Sequence, residues 1–250
     1  MNSHRQREEL VRFGKLIHEK AFVSAMDGNL SVRLDDGTVL ATPTSISKGA
    51  MRPEDMVQVD MQGRRLAGDR DVSSEIAMHL TIYRQRPDIG AVVHAHPVTA
   101  TGFASAGLAL DQPVCSELVI TLGAVPLAEY ATTGTPALSD SLLPYVFDYD
   151  AILLANHGAV TYGACLEQAY LKMEAVEHFA KIMLVTIQLG SPQLLTEENV
   201  RQLVDARSRY QGVKSPASMP AGPIRMKVFS QCVAAMLLSY APLGLDTLFG

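Results

Sequence analysis

The sequence from residue 89 to residue 97 is IGAVVHAHP, an apolar run that carries His94 and His96 and ends at Pro97. A short apolar run closed by proline predicts a buried strand. Side chains two residues apart on a strand point to the same face, so His94 and His96 project together. The alternative is a pair of polar residues on an exposed strand, but the apolar neighbours favour burial. This spacing lets two imidazoles occupy neighbouring corners of a tetrahedral metal site.

A third histidine follows a second apolar run, Ala151–Ala155, in the tripeptide Asn156-His157-Gly158. Ligand sites of open α/β sheets commonly lie just beyond strand ends, and Gly158 lets the backbone turn sharply there. A histidine at such a position is by itself more often structural. Together, three imidazoles leave one coordination position for substrate or water, which is typical of a catalytic metal site.

Glu75 belongs to the run Asp71–Glu75, which is predicted to open a helix over residues 73–85 with Ser73 as its N-cap. The helix dipole alone favours a carboxylate in the first turn, so this position does not by itself indicate catalysis. His79 lies four residues on and shares the helix face with Glu75. We interpret His79 as structural, with a ligand pair of Glu75 and His79 as the alternative.

Composition indicates a chain that can bury a sizeable core: 250 residues, 48% of them hydrophobic and 19% charged. This size suits one α/β domain, or one domain with an extension. The formal net charge of −5, without a basic patch, argues against a nucleic-acid partner. The polar N-terminus shows no signal sequence, and Cys115, Cys165 and Cys232 form neither a disulfide framework nor a CxxC site. We therefore expect a cytoplasmic protein.

Periodicity predicts the remaining elements. Helices are expected over residues 5–20, 98–106, 137–146, 165–189 and 197–209, and strands over residues 30–34, 38–42, 57–61, 114–120, 124–126, 151–155 and 159–162. Residues 212–223 are rich in Pro, Ser, Gly and Ala, which is typical of a linker. The expected organisation is a catalytic domain over residues 1–212, then a linker and C-terminal extension over residues 213–250. Polar residues interrupt the apolar part of this extension, so it does not indicate a membrane span.

Three small polar clusters precede the histidines: residues 27–31 (DGNLS), residues 42–45 (TPTS) and the pair Ser73-Ser74. Their hydroxyl and backbone N–H groups can converge on a phosphate. Each cluster is equally an ordinary turn or helix cap. Residue chemistry alone therefore predicts a metal enzyme and leaves open whether its substrate is phosphorylated.

The order of the motifs resembles the class II aldolase/adducin family, and most of all its fuculose-1-phosphate aldolases. The similarity covers roughly residues 5–210 and rests on six motifs: residues 28–33 (GNLSVR), 42–44 (TPT), 73–75 (SSE), 94–96 (HAH), 130–135 (YATTGT) and 156–158 (NHG). The resemblance implies a three-layer α/β/α fold with a mainly antiparallel central sheet. It also implies a homotetramer with fourfold symmetry and active sites between subunits.

The same resemblance assigns roles to residues. It implies Zn²⁺, with Mn²⁺ or another divalent metal as alternatives, on His94, His96 and His157, with Glu75 as the catalytic acid/base. It places the substrate phosphate against Gly28, Asn29, Thr44, Ser45, Ser73 and Ser74. Two positions depart from the family: Ser45 replaces a usual glycine, and the aldolase tyrosine is missing around residues 115–117. Glu117 is the predicted replacement for that tyrosine as proton donor.

The implied activity is metal-dependent cleavage of a fuculose-1-phosphate-like sugar phosphate to dihydroxyacetone phosphate and an aldehyde. A decarboxylase, dehydratase or epimerase on the same scaffold, working through a metal-bound enediolate, is the alternative. Epimerases of this family carry Asp where this chain has Glu75, which argues against that reaction. A non-catalytic module like the adducin head is disfavoured, because it has no use for three metal-binding histidines and Glu75.

Overall fold

The structure is a computed structural model that describes the backbone of residues 3–211 and the side chains of residues 4–206. The strands are β1 (Asn29–Arg33), β2 (Val39–Ala41), β3 (Val57–Val59), β4 (Arg65–Ala67), β5 (Ala91–Ala95), β6 (Leu127–Ala128), β7 (Ala151–Leu154) and β8 (Gly158–Gly163). The α-helices are α1 (Ser3–Glu19), α2 (Ile76–Gln85), α3 (Val98–Ser105), α4 (Ser116–Thr121), α5 (Pro136–Ser141), α6 (Leu166–Leu189) and α7 (Glu197–Gln211). The extension expected over residues 213–250 lies outside the described residues.

The eight strands form one sheet in the order β4-β3-β2-β1-β5-β8-β7-β6. Pairing is antiparallel from β4 through to β7, whereas β6 pairs with β7 in parallel. A parallel pair requires a crossover connection, and the segment between β6 and β7 contains α5. The sheet is therefore mixed, which corrects the prediction of a mainly antiparallel sheet.

Two hydrophobic clusters pack on the sheet. Alternate residues of β5 divide between them: Val93 belongs to the cluster that includes residues of α1, α3 and α6, and Val92 to the cluster that includes residues of α2 and α5. Because side chains alternate along a strand, His94 shares the face of Val92, the α2 face. The sheet thus presents the first histidine pair towards the helix that follows Glu75.

A carboxylate of α6 holds the start of α3, the helix that follows β5. Glu177 of α6 is buried and accepts hydrogen bonds from the backbone N–H groups of Thr99 (3.2 Å) and Ala100 (2.9 Å) in the first turn of α3. These groups have no partner within the helix itself, and the helix dipole favours a negative charge there. Glu177 therefore anchors the segment that follows His96.

Several predicted elements differ in the structure. The strand expected over residues 124–126 is replaced by β6 at Leu127–Ala128, and the helix expected over residues 137–146 ends as α5 at Ser141. The strand expected over residues 114–120 is helix α4, where Leu118 and the C-cap residue Leu122 lie four residues apart and pack into the core. The helix expected from residue 73 begins at Ile76, so Glu75 occupies the N-cap position, not the first turn. None of the described helices has the length and apolar character needed to cross a membrane.

Candidate metal centre and active site

Three histidine side chains meet at one end of β5 and β8. His94 and His96 come from β5 and the residue after it, and His157 comes from the turn between β7 and β8. Their ring centroids are 4.7–5.1 Å apart, and one ring nitrogen of each lies within 4.8 Å of the others. The structure thus brings together the three residues that the sequence singled out as metal ligands.

The outer nitrogen of each ring has a different environment. Nδ1 of His94 donates to the carbonyl oxygen of Ala159 (2.9 Å), which leaves the lone pair of Nε2 directed at the cluster. Nδ1 of His96 lies 3.5 Å from Oδ2 of Asp27. Nδ1 of His157 is buried and has no hydrogen-bond partner in the described part of the chain. Metal-binding histidines are usually oriented by such outer contacts, and here two of the three rings have one.

The inner atoms of the cluster fit a cation. Nε2 of His94 lies 3.1 Å from Nε2 of His96, and the Glu75 carboxylate places Oε2 3.2 Å from His94 Nε2 and Oε1 3.2 Å from His157 Nε2. Lone pairs this close repel one another unless a proton or metal ion lies among them. Two ligands about 2.0–2.1 Å from a tetrahedral ion are roughly 3.3 Å apart, close to the separation of the first pair. This donor set therefore fits a divalent transition metal.

Electrostatics favours the ionisation state that metal binding requires at Glu75 and His96. At His94 burial lowers the pKa, but Glu75 outweighs burial and raises it, so a metal ion would displace a proton there. Burial would raise the pKa of Glu75, but the charge and contacts of His94 and His157 outweigh it and hold that pKa well below its ordinary value. Burial, together with His94 and His157, lowers the pKa of His96 to about 4. Glu75 is therefore a carboxylate and His96 a neutral imidazole at neutral pH, the forms that bind a cation.

Glu75 is held from two sides. Its backbone N–H donates to Oγ of Ser73 (3.3 Å), and its Oε2 accepts a hydrogen bond from Nδ2 of Asn29 (2.9 Å). Asn29 pairs with His94 across β1 and β5, which is why its side chain reaches the same site. The predicted phosphate residue Asn29 thus uses its side chain on Glu75.

His79 is not a ligand of the cluster. Its Nδ1 contacts Oγ of Ser31 (2.7 Å) and its Nε2 contacts Oδ1 of Asn29 (2.6 Å), so neither nitrogen is free for a metal. The alternative pairing of Glu75 with His79 as ligands is therefore wrong. Burial and the charge of His94 lower the pKa of His79 to about 3, which keeps the ring neutral.

The three predicted phosphate clusters lie side by side. The first contacts the second because the backbone N–H of Leu30 donates to Oγ1 of Thr42 (3.1 Å). The second is bonded to the segment that leads into the third, because the Thr44 N–H donates to the Asp71 carbonyl (3.0 Å). A Cβ added to Gly134 would lie 3.8 Å from Cβ of Ser74, so the YATTGT segment adjoins the third cluster.

Backbone conformation explains two positions of these clusters. Gly28 has φ +71°, and a Cβ there would approach the His94 carbonyl oxygen to 2.9 Å, so only glycine fits. Ser45 has φ +57°, in the left-handed region that glycine favours. The backbone conformation expected for the family glycine is thus kept in this chain, with an exposed hydroxymethyl group added.

Two acidic residues differ from the sequence prediction: Glu117 does not contact the site, and Asp27 does. Glu117 is exposed in the first turn of α4, a helix that packs on α6 and α7, and no described hydrogen bond or ion pair joins it to Glu75 or the histidines. Asp27 was noted as part of a polar cluster but not as a partner of His96. The contact was not predictable, because it requires the turn before β1 to lie against the end of β5.

The family of the chain follows from direct comparison. The family model of the Class II Aldolase and Adducin N-terminal domain matches residues 8–184. The chain belongs to this family. It is 35% identical over 208 residues to 5-deoxy-D-ribulose 1-phosphate aldolase from Bacillus thuringiensis serovar kurstaki, which covers 82% of this chain and 97% of that protein.

Two further relatives of this class II aldolase chain differ in reaction. One is 3-oxo-tetronate 4-phosphate decarboxylase from Pectobacterium atrosepticum, 34% identical over 81% of this chain and 94% of that protein. The other is a solved structure of L-fuculose 1-phosphate aldolase, with a TM-score of 0.75, 32% identity and coverage of 80% of this chain and 94% of that one. Membership of the family therefore establishes the fold and leaves the reaction to be proposed.

Substitution of Gly158 tests how closely the cluster is packed. A Cβ at this position would lie 2.5 Å from Cδ2 of His96 and 2.6 Å from the Ala95 carbonyl oxygen. Gly158→Ala is therefore expected to displace the His96 ring and weaken zinc binding at least about tenfold, as measured by competition with a chromophoric chelator. Gly102→Ala is the control, because a Cβ at Gly102 meets nothing within 4 Å. Equal zinc affinity of Gly158→Ala and wild type would contradict this packing.

Proposed function

We propose that the protein is a divalent-metal-dependent lyase that cleaves a phosphorylated ketose, of the fuculose-1-phosphate type, into dihydroxyacetone phosphate and an aldehyde. The observation that carries the proposal is the convergence of three imidazoles on the Glu75 carboxylate. The relatives that are aldolases of sugar 1-phosphates support a phosphorylated substrate. In this proposal residues 1–212 form the catalytic domain.

His94, His96 and His157 would hold the metal, with Zn²⁺ proposed and Mn²⁺ or another divalent ion as alternatives. When bound, such an ion acts as a Lewis acid that polarises the substrate carbonyl and stabilises developing negative charge. The substrate phosphate would lie against the adjoining polar clusters, with contacts from Gly28, Asn29, Thr44, Ser45, Ser73 and Ser74. These clusters supply hydroxyl groups and backbone N–H groups, which suit an anion.

Glu75 is assigned the proton transfer at carbon. In the cleavage direction the hydroxyl group beside the breaking carbon–carbon bond loses a proton, and the carbon left with the electron pair gains one. In the cleavage direction the Glu75 carboxylate would first take up a proton from water and then pass it to the carbon, and in the reverse direction the carboxylate would remove that proton. The donor or acceptor at the hydroxyl group stays a prediction: Glu117 could serve only if α4 of a neighbouring subunit delivers it.

Several further parts of the proposal rest on the family resemblance. They are the three-layer arrangement, assembly as a homotetramer with active sites between subunits, and a cytoplasmic location. The homotetramer matters for catalysis in this proposal, because a neighbouring subunit would supply the proton donor that replaces the missing tyrosine.

Decarboxylation of a phosphorylated 3-oxo acid is the second candidate. It is favoured by the decarboxylase relative and by the absence of the aldolase tyrosine. Loss of carbon dioxide also leaves an electron pair on a carbon next to a carbonyl group, and that carbon also needs a proton. Glu75 can therefore serve both reactions, and only the product distinguishes them.

The test is a product assay with zinc-loaded protein. Ketose 1-phosphates and phosphorylated 3-oxo acids are offered in turn, and products are followed by ¹³C NMR. We expect dihydroxyacetone phosphate and an aldehyde from a ketose 1-phosphate, with activity lost on chelation and regained with zinc or manganese. Carbon dioxide from the oxo acids alone would establish the second candidate, and no turnover of either class would refute both.

A further inference from the structure

A continuous chain of buried hydrogen bonds runs from the core to Glu75. Tyr83 Oη lies 2.8 Å from Ser31 Oγ, which lies 2.7 Å from His79 Nδ1. His79 Nε2 lies 2.6 Å from Asn29 Oδ1, and Asn29 Nδ2 donates to Glu75 Oε2 over 2.9 Å. The first four side chains are at most 5% exposed, so water does not compete for these bonds.

Donor and acceptor chemistry determines which group donates in each of these hydrogen bonds. A carboxylate only accepts, so Asn29 must turn its NH₂ group to Glu75 and its carbonyl oxygen to His79. That oxygen needs a donor, which requires a proton on Nε2 of His79. A neutral ring then accepts at Nδ1, so Ser31 donates there and in turn accepts from Tyr83.

The chain makes the two oxygens of Glu75 different. Oε2 accepts the Asn29 hydrogen bond, whereas Oε1 is buried and faces Nε2 of His157, 3.2 Å away. The Asn29 hydrogen bond therefore fixes the rotation of the carboxylate, and with it the direction in which Oε1 points.

We infer that His79 is a positioning residue: the hydrogen bonds from Tyr83 through Ser31 to His79 fix the Asn29 carboxamide, which holds Oε2 of Glu75 and so orients the carboxylate. This inference rests on the proposed role of Glu75. Without His79, the carbonyl oxygen of Asn29 loses its buried donor, so the carboxamide is anchored at one end only and can rotate away from Glu75. If His79 were merely structural, its substitution would lower stability but would leave kcat unchanged.

The kinetic test compares variants at Ser31 and His79 with a matched control variant, and every protein is loaded with zinc. Ser31→Ala removes the donor to His79 and is expected to lower kcat about tenfold, with KM and zinc content changing by less than about twofold. His79→Leu is expected to lower kcat about a hundredfold, and His79→Gln, which can still donate to Asn29, to recover part of it. Thr161→Val removes another fully buried hydroxyl group, bonded to the Ala169 carbonyl oxygen (2.8 Å), and should leave kcat unchanged.

A second readout does not depend on turnover. In ¹⁵N NMR of the zinc-loaded wild type we expect His79 as the neutral Nε2–H tautomer with a hydrogen-bonded Nδ1. In Ser31→Ala the tautomer should stay the same and the Nδ1 resonance should shift, because the bond from Ser31 is lost. A different tautomer in the wild type would overturn the inference, as would unchanged kcat in Ser31→Ala despite the shifted Nδ1 resonance. If His79→Leu does not fold, Ser31→Ala decides. If the wild type turns over no substrate, the proposed function fails, and the NMR result alone then tests whether His79 has the inferred hydrogen bonds.

Discussion

Glu75→Gln is expected to bind the metal as the wild type does and to lose at least ~10² in kcat. The glutamine side chain has the same shape and keeps an oxygen for the Asn29 hydrogen bond, so the three histidines are undisturbed. Its amide cannot take up and return a proton, however, and the transfer to carbon then lacks its group. Steady-state kinetics and metal analysis on the same preparation measure both quantities.

Glu174→Gln is the matched control for this substitution. Glu174 forms an ion pair with Lys20 (2.8 Å) on the surface between α6 and the end of α1, and surface pairs of this kind contribute little. Its kcat should equal that of the wild type. Near-normal turnover in Glu75→Gln would remove Glu75 from the mechanism, whereas loss of metal in that variant would indicate that Glu75 is a ligand.

His96→Ala is expected to release the metal, raising its dissociation constant by more than the roughly 10–100-fold typical of outer contacts. The reason is geometric: His96 supplies one of three inner nitrogens, and its Nε2 lies 3.1 Å from that of His94, so no other described side chain takes its place. Metal content after dialysis against a weak chelator, measured by mass spectrometry, gives the result directly.

His178→Ala controls for the loss of a histidine as such. His178 is exposed on α6 and does not belong to the cluster, so this variant should retain the wild-type metal content. Tight stoichiometric metal in His96→Ala would contradict the role of His96. The same outcome would point to Glu75 as a ligand in its place.

Local patterns predicted the part of the site that lies on strands. The two-residue spacing of His94 and His96 needs only the alternation of a strand, and His157 needs only a strand end followed by glycine. Both features are independent of the rest of the fold. The sequence alone was therefore enough to select the three histidines as candidate metal ligands. The left-handed backbone conformation of Ser45 also agrees with a position that is glycine in the family.

Other features depend on contacts between segments distant along the chain. Residues 114–120 are rich in residues that favour strands, yet packing of Leu118 and Leu122 into the core makes this segment a helix. The parallel β6–β7 edge depends on where the crossover through α5 returns. The partners of Asn29 depend on the register of β1 against β5, which places Asn29 opposite His94. No pattern within a single segment determines these pairings.

X-ray absorption at the metal edge of the purified protein, combined with metal stoichiometry, shows directly whether the three histidines bind a metal ion. We expect one divalent ion per chain with three imidazole ligands, their nitrogens about 2.0–2.1 Å from zinc. Absence of a stoichiometric metal after reconstitution, or a coordination shell without three imidazoles, would refute the proposed metal centre.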